Sequence, residues 1–185
     1  SSQSRGLGDV YKRQPLSHQV WRNVDTALSS TRKLIRSANR SKKKIHVLHI
    51  TTAEEIKLLL KNRKYVSFEV TPQHLILASP DCYKKLGTYA QMNPPIRGTR
   101  HRNVLRKTLQ KGQIDIIGSD HAPHLKSEKN QIYPNSPSGM PGVQTLLPIL
   151  LNEVTKKTIS LNEVVKLTSF NPKKIFKIKN KGLIK

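Results

Sequence analysis

Apolar residues arrive along this chain in short blocks divided by polar turns, and the spacing inside the blocks alternates between helical and extended. In "VWRNVDTALSSTRKLIRSAN" (20–39), Val24, Ala27, Leu28, Leu34 and Ile35 recur near the helical period, which predicts a helix ending in a polar turn. "KIHVLHI" (44–50) follows. Ile45, Val47 and His49 fall on one face and His46, Leu48 and Ile50 on the other, so the segment reads as a buried parallel strand with His49 as its last inward position. Thr51 and Glu54 then match a capping box ahead of the amphipathic helix "AEEIKLLLKNRK". "YVSFEV" (65–70) reads as a second strand, rich in β-branched and aromatic residues and stopped by Thr71 and Pro72.

After an irregular stretch the alternation resumes. Thr99 is placed to cap "RHRNVLRKTLQK", Gly112 to close it, and "IDIIG" (114–118) to form the next strand. A loop rich in proline and glycine between Pro134 and Gly142 leads to "VQTLLPILLNEVTKK", a helix with Pro148 inside it and therefore expected to kink, and Ser160 is placed to cap "LNEVVKLTS". Repeated strand-helix units build a parallel sheet or a (β/α) barrel, in which reactive groups collect at the C-terminal ends of the strands.

Composition narrows the class. The 185 residues suffice for one domain with a core, and although only 35% are hydrophobic and 5% aromatic, their grouping into blocks argues against disorder. The single cysteine, Cys82, excludes a disulfide within the chain and points to a reducing compartment. No apolar run is long enough to cross a bilayer and no signal-type segment is legible, so the expected setting is cytoplasmic, with no membrane partner. The formal charge of +23 invites nucleic acid. The bases are scattered, however, and "RSKKKI" (40–45) and "NPKKIFKIKNKG" (171–182) lack interleaved aromatics for base stacking, so they read as solvated lysines. Residues 1–14 stand apart as a polar, aperiodic leader foreign to the fold, which leaves 15–185 as the folded portion.

The chemistry gathers in "DIIGSDHAPH" (115–124), where a short apolar run is followed at once by Asp120, His121 and His124. A lone strand-end histidine such as His49 is more often a satisfied polar group than a ligand, and a single aspartate is no more telling. Together they are the donor types that suit Zn²⁺, which lowers the pKa of water while a neighbouring carboxylate takes and returns the proton. "NPPIRG" (93–98) adds an amide and a guanidinium on a proline-stiffened loop. It reads equally well as an amide-and-carboxylate binding loop and as an ordinary rigid turn.

Six blocks, "HVLHITTAEE", "EVTPQHLIL", "AQMNPPIRG", "GSDHAPH", "PSGMPGVQTLLPILL" and "LTSFNPKKIF", stand in this order and together resemble the C-terminal half of the barrel of the dihydroorotases, in the amidohydrolase superfamily. The resemblance runs from about residue 16 to the end. It implies an α/β fold, a partial (β/α)8 TIM barrel of the metal-dependent hydrolase type that holds roughly the last three strand-helix units. It also implies a zinc enzyme that interconverts carbamoyl aspartate and dihydroorotate in pyrimidine biosynthesis by closing or opening a cyclic amide. Matched by position, His49 is expected to ligate zinc, and Asp120 to ligate zinc and act as the catalytic acid/base. Asn93 and His124 are expected to hold the substrate and the backbone of Pro141 and Gly142 to line it. Arg97 ranks below these as a substrate ligand, because the family's main carboxylate-binding arginine follows the metal motif of the first strand. His46, His74 and His121 are expected not to ligate: His46 faces away from His49, and the other two read as loop braces.

The family's site opens with a His-x-His pair on the first strand, followed by a bridging carboxylated lysine or aspartate and a histidine on later strands. None of these is in the sequence, nor is the small β-sandwich that follows the barrel. The expectation is therefore a piece of the catalytic domain whose zinc site is incomplete and which is inactive alone. Expected partners are the small-molecule substrate, a second copy of the chain in a homodimer, and aspartate carbamoyltransferase. The alternatives are a non-catalytic dihydroorotase-like subunit that supports aspartate carbamoyltransferase, another cyclic amidohydrolase such as an allantoinase or hydantoinase, and a basic nucleic-acid-binding module.

Overall fold

The computed structural model describes residues 14–181, so the leader expected over 1–14 lies outside the described residues except for Gln14. A 3-10 turn, Pro15–Ser17, runs into α1 (His18–Trp21), and α2 (Val24–Ser41) starts afresh at Asn23, whose Oδ1 accepts from the Thr26 N–H at 2.9 Å. The helix expected to begin at residue 20 is thus broken at Arg22 and Asn23. The asparagine satisfies an amide that the new first turn leaves without a partner.

Three strands form one parallel sheet in the order β1 (Ile45–Val47), β2 (Val66–Val70) and β3 (Ile116–Ile117). Ile45 pairs with Val66 and Val47 with Phe68, while Glu69 pairs with Ile116 and Val70 with Ile117. Both outer strands are shorter than the apolar pattern suggests. β1 ends at Val47: Leu48 is exposed, His49 takes a left-handed φ of +38°, and the buried Ile50 gives its N–H to Glu69 O at 2.8 Å. Beside β3, Asp115 offers a side-chain oxygen to the Phe68 N–H at 2.8 Å instead of continuing the ladder, and Gly118 N–H reaches Val70 O at 3.0 Å.

Between β1 and β2 runs α3 (Ala53–Leu60), and between β2 and β3 run α4 (Pro72–Ile76), α5 (Asp81–Leu86), the 3-10 turn Gly87–Ala90 and α6 (Thr99–Gln110). The capping box of α3 lies one residue later than expected, at Thr52 and Glu55: the threonine Oγ1 accepts from Glu55 N at 3.1 Å and the glutamate from Thr52 N at 3.1 Å. Glu54 turns outward to Arg100. Thr71 is the N-cap of α4 with Pro72 at its first position, so the dipeptide that stops the strand also opens a helix. Thr99 is the first residue of α6 rather than its cap, which is Gly98 with no side-chain bond. Gly112 does follow the helix in the left-handed region, at φ +62°.

After β3 come α7 (Lys126–Lys129), α8 (Val143–Thr155) with Pro148 inside it, α9 (Leu161–Val165), a π turn over Lys166–Phe170, and α10 (Asn171–Phe176). Ser160 caps α9 as expected, accepting from Glu163 N at 3.2 Å. The main core gathers Val47, Phe68, Val70 and Ile117 from the sheet with Leu59, Leu105, Leu109, Leu150 and Leu167 from the helices. A second cluster of Cys82, Tyr83, Ala90, Met92 and Ile96 gives the irregular stretch after α4 its own apolar anchor. Burial there raises the Cys82 thiol to about 11, which keeps it protonated and unreactive. Among the described residues, no helix is long and apolar enough to cross a membrane.

Candidate functional site

His49 and Asp120 stand just past the C-terminal ends of β1 and β3, the outer strands of the sheet, and both adopt left-handed backbone, at φ +38° and +43°. Non-glycine residues rarely hold that conformation, which costs on the order of 1 kcal/mol. Here both residues are half-buried at the rim. Burial raises the Asp120 carboxyl above the usual carboxylate range; nearby His49 opposes that shift and Glu69 adds to it, so the three side chains share one electrostatic neighbourhood.

Glu69 is the residue that motif reading missed. In "VSFEV" Val66, Phe68 and Val70 face the core, and Ser67 and Glu69 share the other face of β2. On that face His46 lies between them, with Nδ1 2.8 Å from Ser67 Oγ and Nε2 3.2 Å from Glu69 Oε2. Gly118 leaves room for the carboxylate, since a Cβ there would come within 2.3 Å of Glu69 Oε1. The signal was present in the strict alternation of the strand. Among the described residues, however, no group of three or more His, Cys, Asp or Glu side chains is arranged to hold a metal ion. An imidazole and a carboxylate at one rim fit two positions of a zinc ligand set, and two are fewer than such a set needs.

Asn93 is exposed, and its Oδ1 accepts from Nε2 of the buried His18 at 2.8 Å, which leaves the two donors of its amide NH₂ outside that bond. His18 was not singled out in the sequence; burial lowers its pKa despite the bond to Asn93, so it serves as a neutral donor. Arg97 is placed elsewhere. It is buried, and its guanidinium donates to the carbonyls of Gln19 and Arg22 and to Thr51 Oγ1, joining α1 to the start of α3. His74 is buried as well, bonded to Thr71 Oγ1 and Pro94 O, so it braces the loop that carries Asn93.

Pro141 and Gly142 run close to Ser119 and His121, the residues on either side of Asp120. Gln73 Nε2 donates to Ser119 O at 3.2 Å and to Pro141 O at 3.4 Å, and His121 Nδ1 accepts from Gly142 N at 3.1 Å. A Cβ on Gly142 would lie 1.9 Å from Ser119 O, so only glycine lets this loop approach the end of β3. His124 lies beside Gly139 with Nδ1 3.8 Å from Glu128 Oε2. The structure therefore brings His49, Asp120 and the Pro141–Gly142 loop to one end of the sheet, sets Asn93 on a loop held by His18 and His74, and keeps Arg97 in the scaffold.

No family model matches this sequence. In fold it is similar to part of the hydantoinase and dihydropyrimidinase structures: a D-hydantoinase structure superposes with a TM-score of 0.84 at 25% identity, covering 98% of this chain and 42% of that one. The dihydropyrimidinase of Brevibacillus agri gives a TM-score of 0.82 at 25% identity over the same shares. In sequence the chain is a relative of the dihydroorotases. It is 36% identical to the dihydroorotase of Methanosphaera stadtmanae over 176 residues, 94% of this chain and 40% of that protein. It is 41% identical to that of Methanosarcina mazei over 143 residues, 72% of this chain and 31% of the relative. The chain thus spans well under half the length of the curated relatives it matches.

Proposed function

We propose that the chain is the C-terminal portion of the catalytic (β/α)8 barrel of a zinc-dependent dihydroorotase, which interconverts N-carbamoyl-L-aspartate and dihydroorotate. The observation that supports this most is the pairing of His49 and Asp120, raised together to the same rim of a parallel sheet by two left-handed residues. These two would hold the zinc ion with ligands from outside this chain. Bound zinc supplies Lewis acidity and makes water acidic enough to ionise near neutral pH. In the hydrolytic direction Asp120 accepts the proton of the attacking water and delivers it to the ring nitrogen as the amide C–N bond breaks; in the cyclising direction it runs the same transfer backwards. Asn93 offers its amide NH₂ to the substrate, His124 a side-chain hydrogen bond, and the Pro141–Gly142 backbone the wall of the pocket. Arg97 acts as a structural cation.

The test uses the chain extended to the length of its dihydroorotase relatives. His49→Ala is expected to lose zinc as well as turnover, and Asp120→Asn to lower kcat by about a thousandfold, the size of a general acid–base contribution. Near-normal turnover in either variant would overturn the reading. The superposition on hydantoinases favours one competing specificity. Turnover of hydantoin in preference to dihydroorotate would replace the proposed substrate and leave the roles of His49 and Asp120 intact.

A further inference from the structure

Lys129, at the end of the short helix α7, is 4% exposed. Its Nζ donates to Gln91 O at 3.1 Å, Pro137 O at 2.8 Å and Gly139 O at 3.1 Å, and among the described residues it forms no ion pair. Three carbonyls match the three donors of an ammonium, so the group is satisfied without a counter-charge. Burial still lowers its pKa below the usual lysine range. A solvated lysine would avoid that penalty, so a buried one signals that something is gained from the carbonyls it gathers.

Those carbonyls belong to two separate segments. Gln91 precedes the loop that carries Asn93, and Pro137 and Gly139 precede Pro141 and Gly142. Gln91 also ties the segments directly: Nε2 donates to Ser136 O at 2.8 Å and Ser138 Oγ at 3.1 Å, and its carbonyl accepts from Gly139 N at 2.9 Å. Gln91 O, shared by Lys129 Nζ and Gly139 N–H, is therefore the point where the two loops are pinned.

We propose that Lys129 is a positioning residue, a buried ammonium clamp that fixes the Asn93 loop relative to the Pro141–Gly142 loop and so sets how the pair meets the substrate. The proposal rests on the reading of Asn93 as a substrate ligand. A clamp of this kind acts on binding geometry, while the chemistry at Asp120 proceeds as before once substrate is seated.

In the full-length enzyme, Lys129→Met keeps the stem's packing and removes the donors. It is expected to raise KM for carbamoyl aspartate about tenfold while kcat stays within about threefold, a split that loss of folded protein would not produce. Lys129→Arg keeps the charge but spreads its donors over a planar fork that cannot converge on one point. It is expected to fold and still show the raised KM, and it decides the question if the methionine variant does not fold. Asn93→Ala is measured beside them. A raised KM in Asn93→Ala with an unchanged KM in folded Lys129→Met or Lys129→Arg overturns the clamp alone, whereas an unchanged KM in Asn93→Ala overturns the substrate reading and the clamp with it.

Discussion

A histidine bonded through both ring nitrogens inside a core is committed to one protonation state, and for His74 that state is neutral. Nε2 donates to Pro94 O at 3.0 Å and Nδ1 accepts from the Thr71 hydroxyl at 2.7 Å. Burial lowers the His74 pKa from 6.5 to about 4, although the Pro94 carbonyl pulls the other way. The unfolded chain therefore takes up this proton first, so stability is full above about pH 6.5 and is lost as pH falls toward 4. Urea titrations at about pH 7.5 and about pH 5 are expected to differ by about 2 kcal/mol from this group. His74→Gln should flatten that slope without abolishing it, because His18 and His101 are also lowered by burial and act in the same direction. At the same scale, Gly142 is fixed by contact rather than by backbone conformation. Gly142→Ala drives a methyl into Ser119 O, and the expected outcome is a loop displaced from the end of β3 and a loss of stability on the order of 2 kcal/mol, read from the same titrations.

Between elements, the polar contacts that matter are the buried ones. Arg106 on α6 holds Glu153 on α8 with two bonds, 2.6 and 3.3 Å, and the glutamate side chain is 3% exposed. Burial alone would raise the Glu153 pKa, but the bonds and charge of Arg106, joined by Thr158 and Lys156, more than offset it and the net shift is downward. Arg106→Ala leaves that carboxylate with only Thr158 and the solvent-exposed Lys156, 3.6 Å away, and is expected to cost about 2 kcal/mol in chemical denaturation, whereas Arg100→Ala, which frees the more exposed Glu54, should cost under about 1 kcal/mol. Thr52→Ala removes the cap of α3 and is expected to cost about 1 kcal/mol. That cap also shows how far the sequence could be read. The existence and order of the main helices and strands were legible from periodicity, and so was the place of His49 and Asp120 at the ends of their strands. The register of the cap was not, because Thr51 with Glu54 and Thr52 with Glu55 satisfy the same pattern; what separates them is that Glu55 is buried and accepts from Thr31 at 2.7 Å, a contact made across helices. His18 and Lys129 were illegible for the same reason. Their partners Met92 and Gln91 lie 74 and 38 residues away, and no local period encodes such a contact.

For the molecule as a whole, 34 basic residues stand against 11 acidic ones, and the bases are scattered along the sequence rather than gathered in one block. Several of the few acids are already committed, Asp115 to Arg63, Glu54 to Arg100 and Glu153 to Arg106. What remains is mostly repulsion between cations at middle distances. Folding brings those cations closer together than they are in the extended chain, so the repulsion weighs on the folded state. Raising NaCl from about 0.01 M to about 0.15 M shortens the Debye length from about 30 Å to about 8 Å, which screens these separated pairs while sparing the buried contact between Arg106 and Glu153. The urea midpoint should therefore rise with salt, by the equivalent of about 1 kcal/mol over that range. A midpoint that fell instead would mean that attractive surface pairs outweigh the repulsion, and the basic surface would then have to be reckoned a stabilising network rather than a load on the fold.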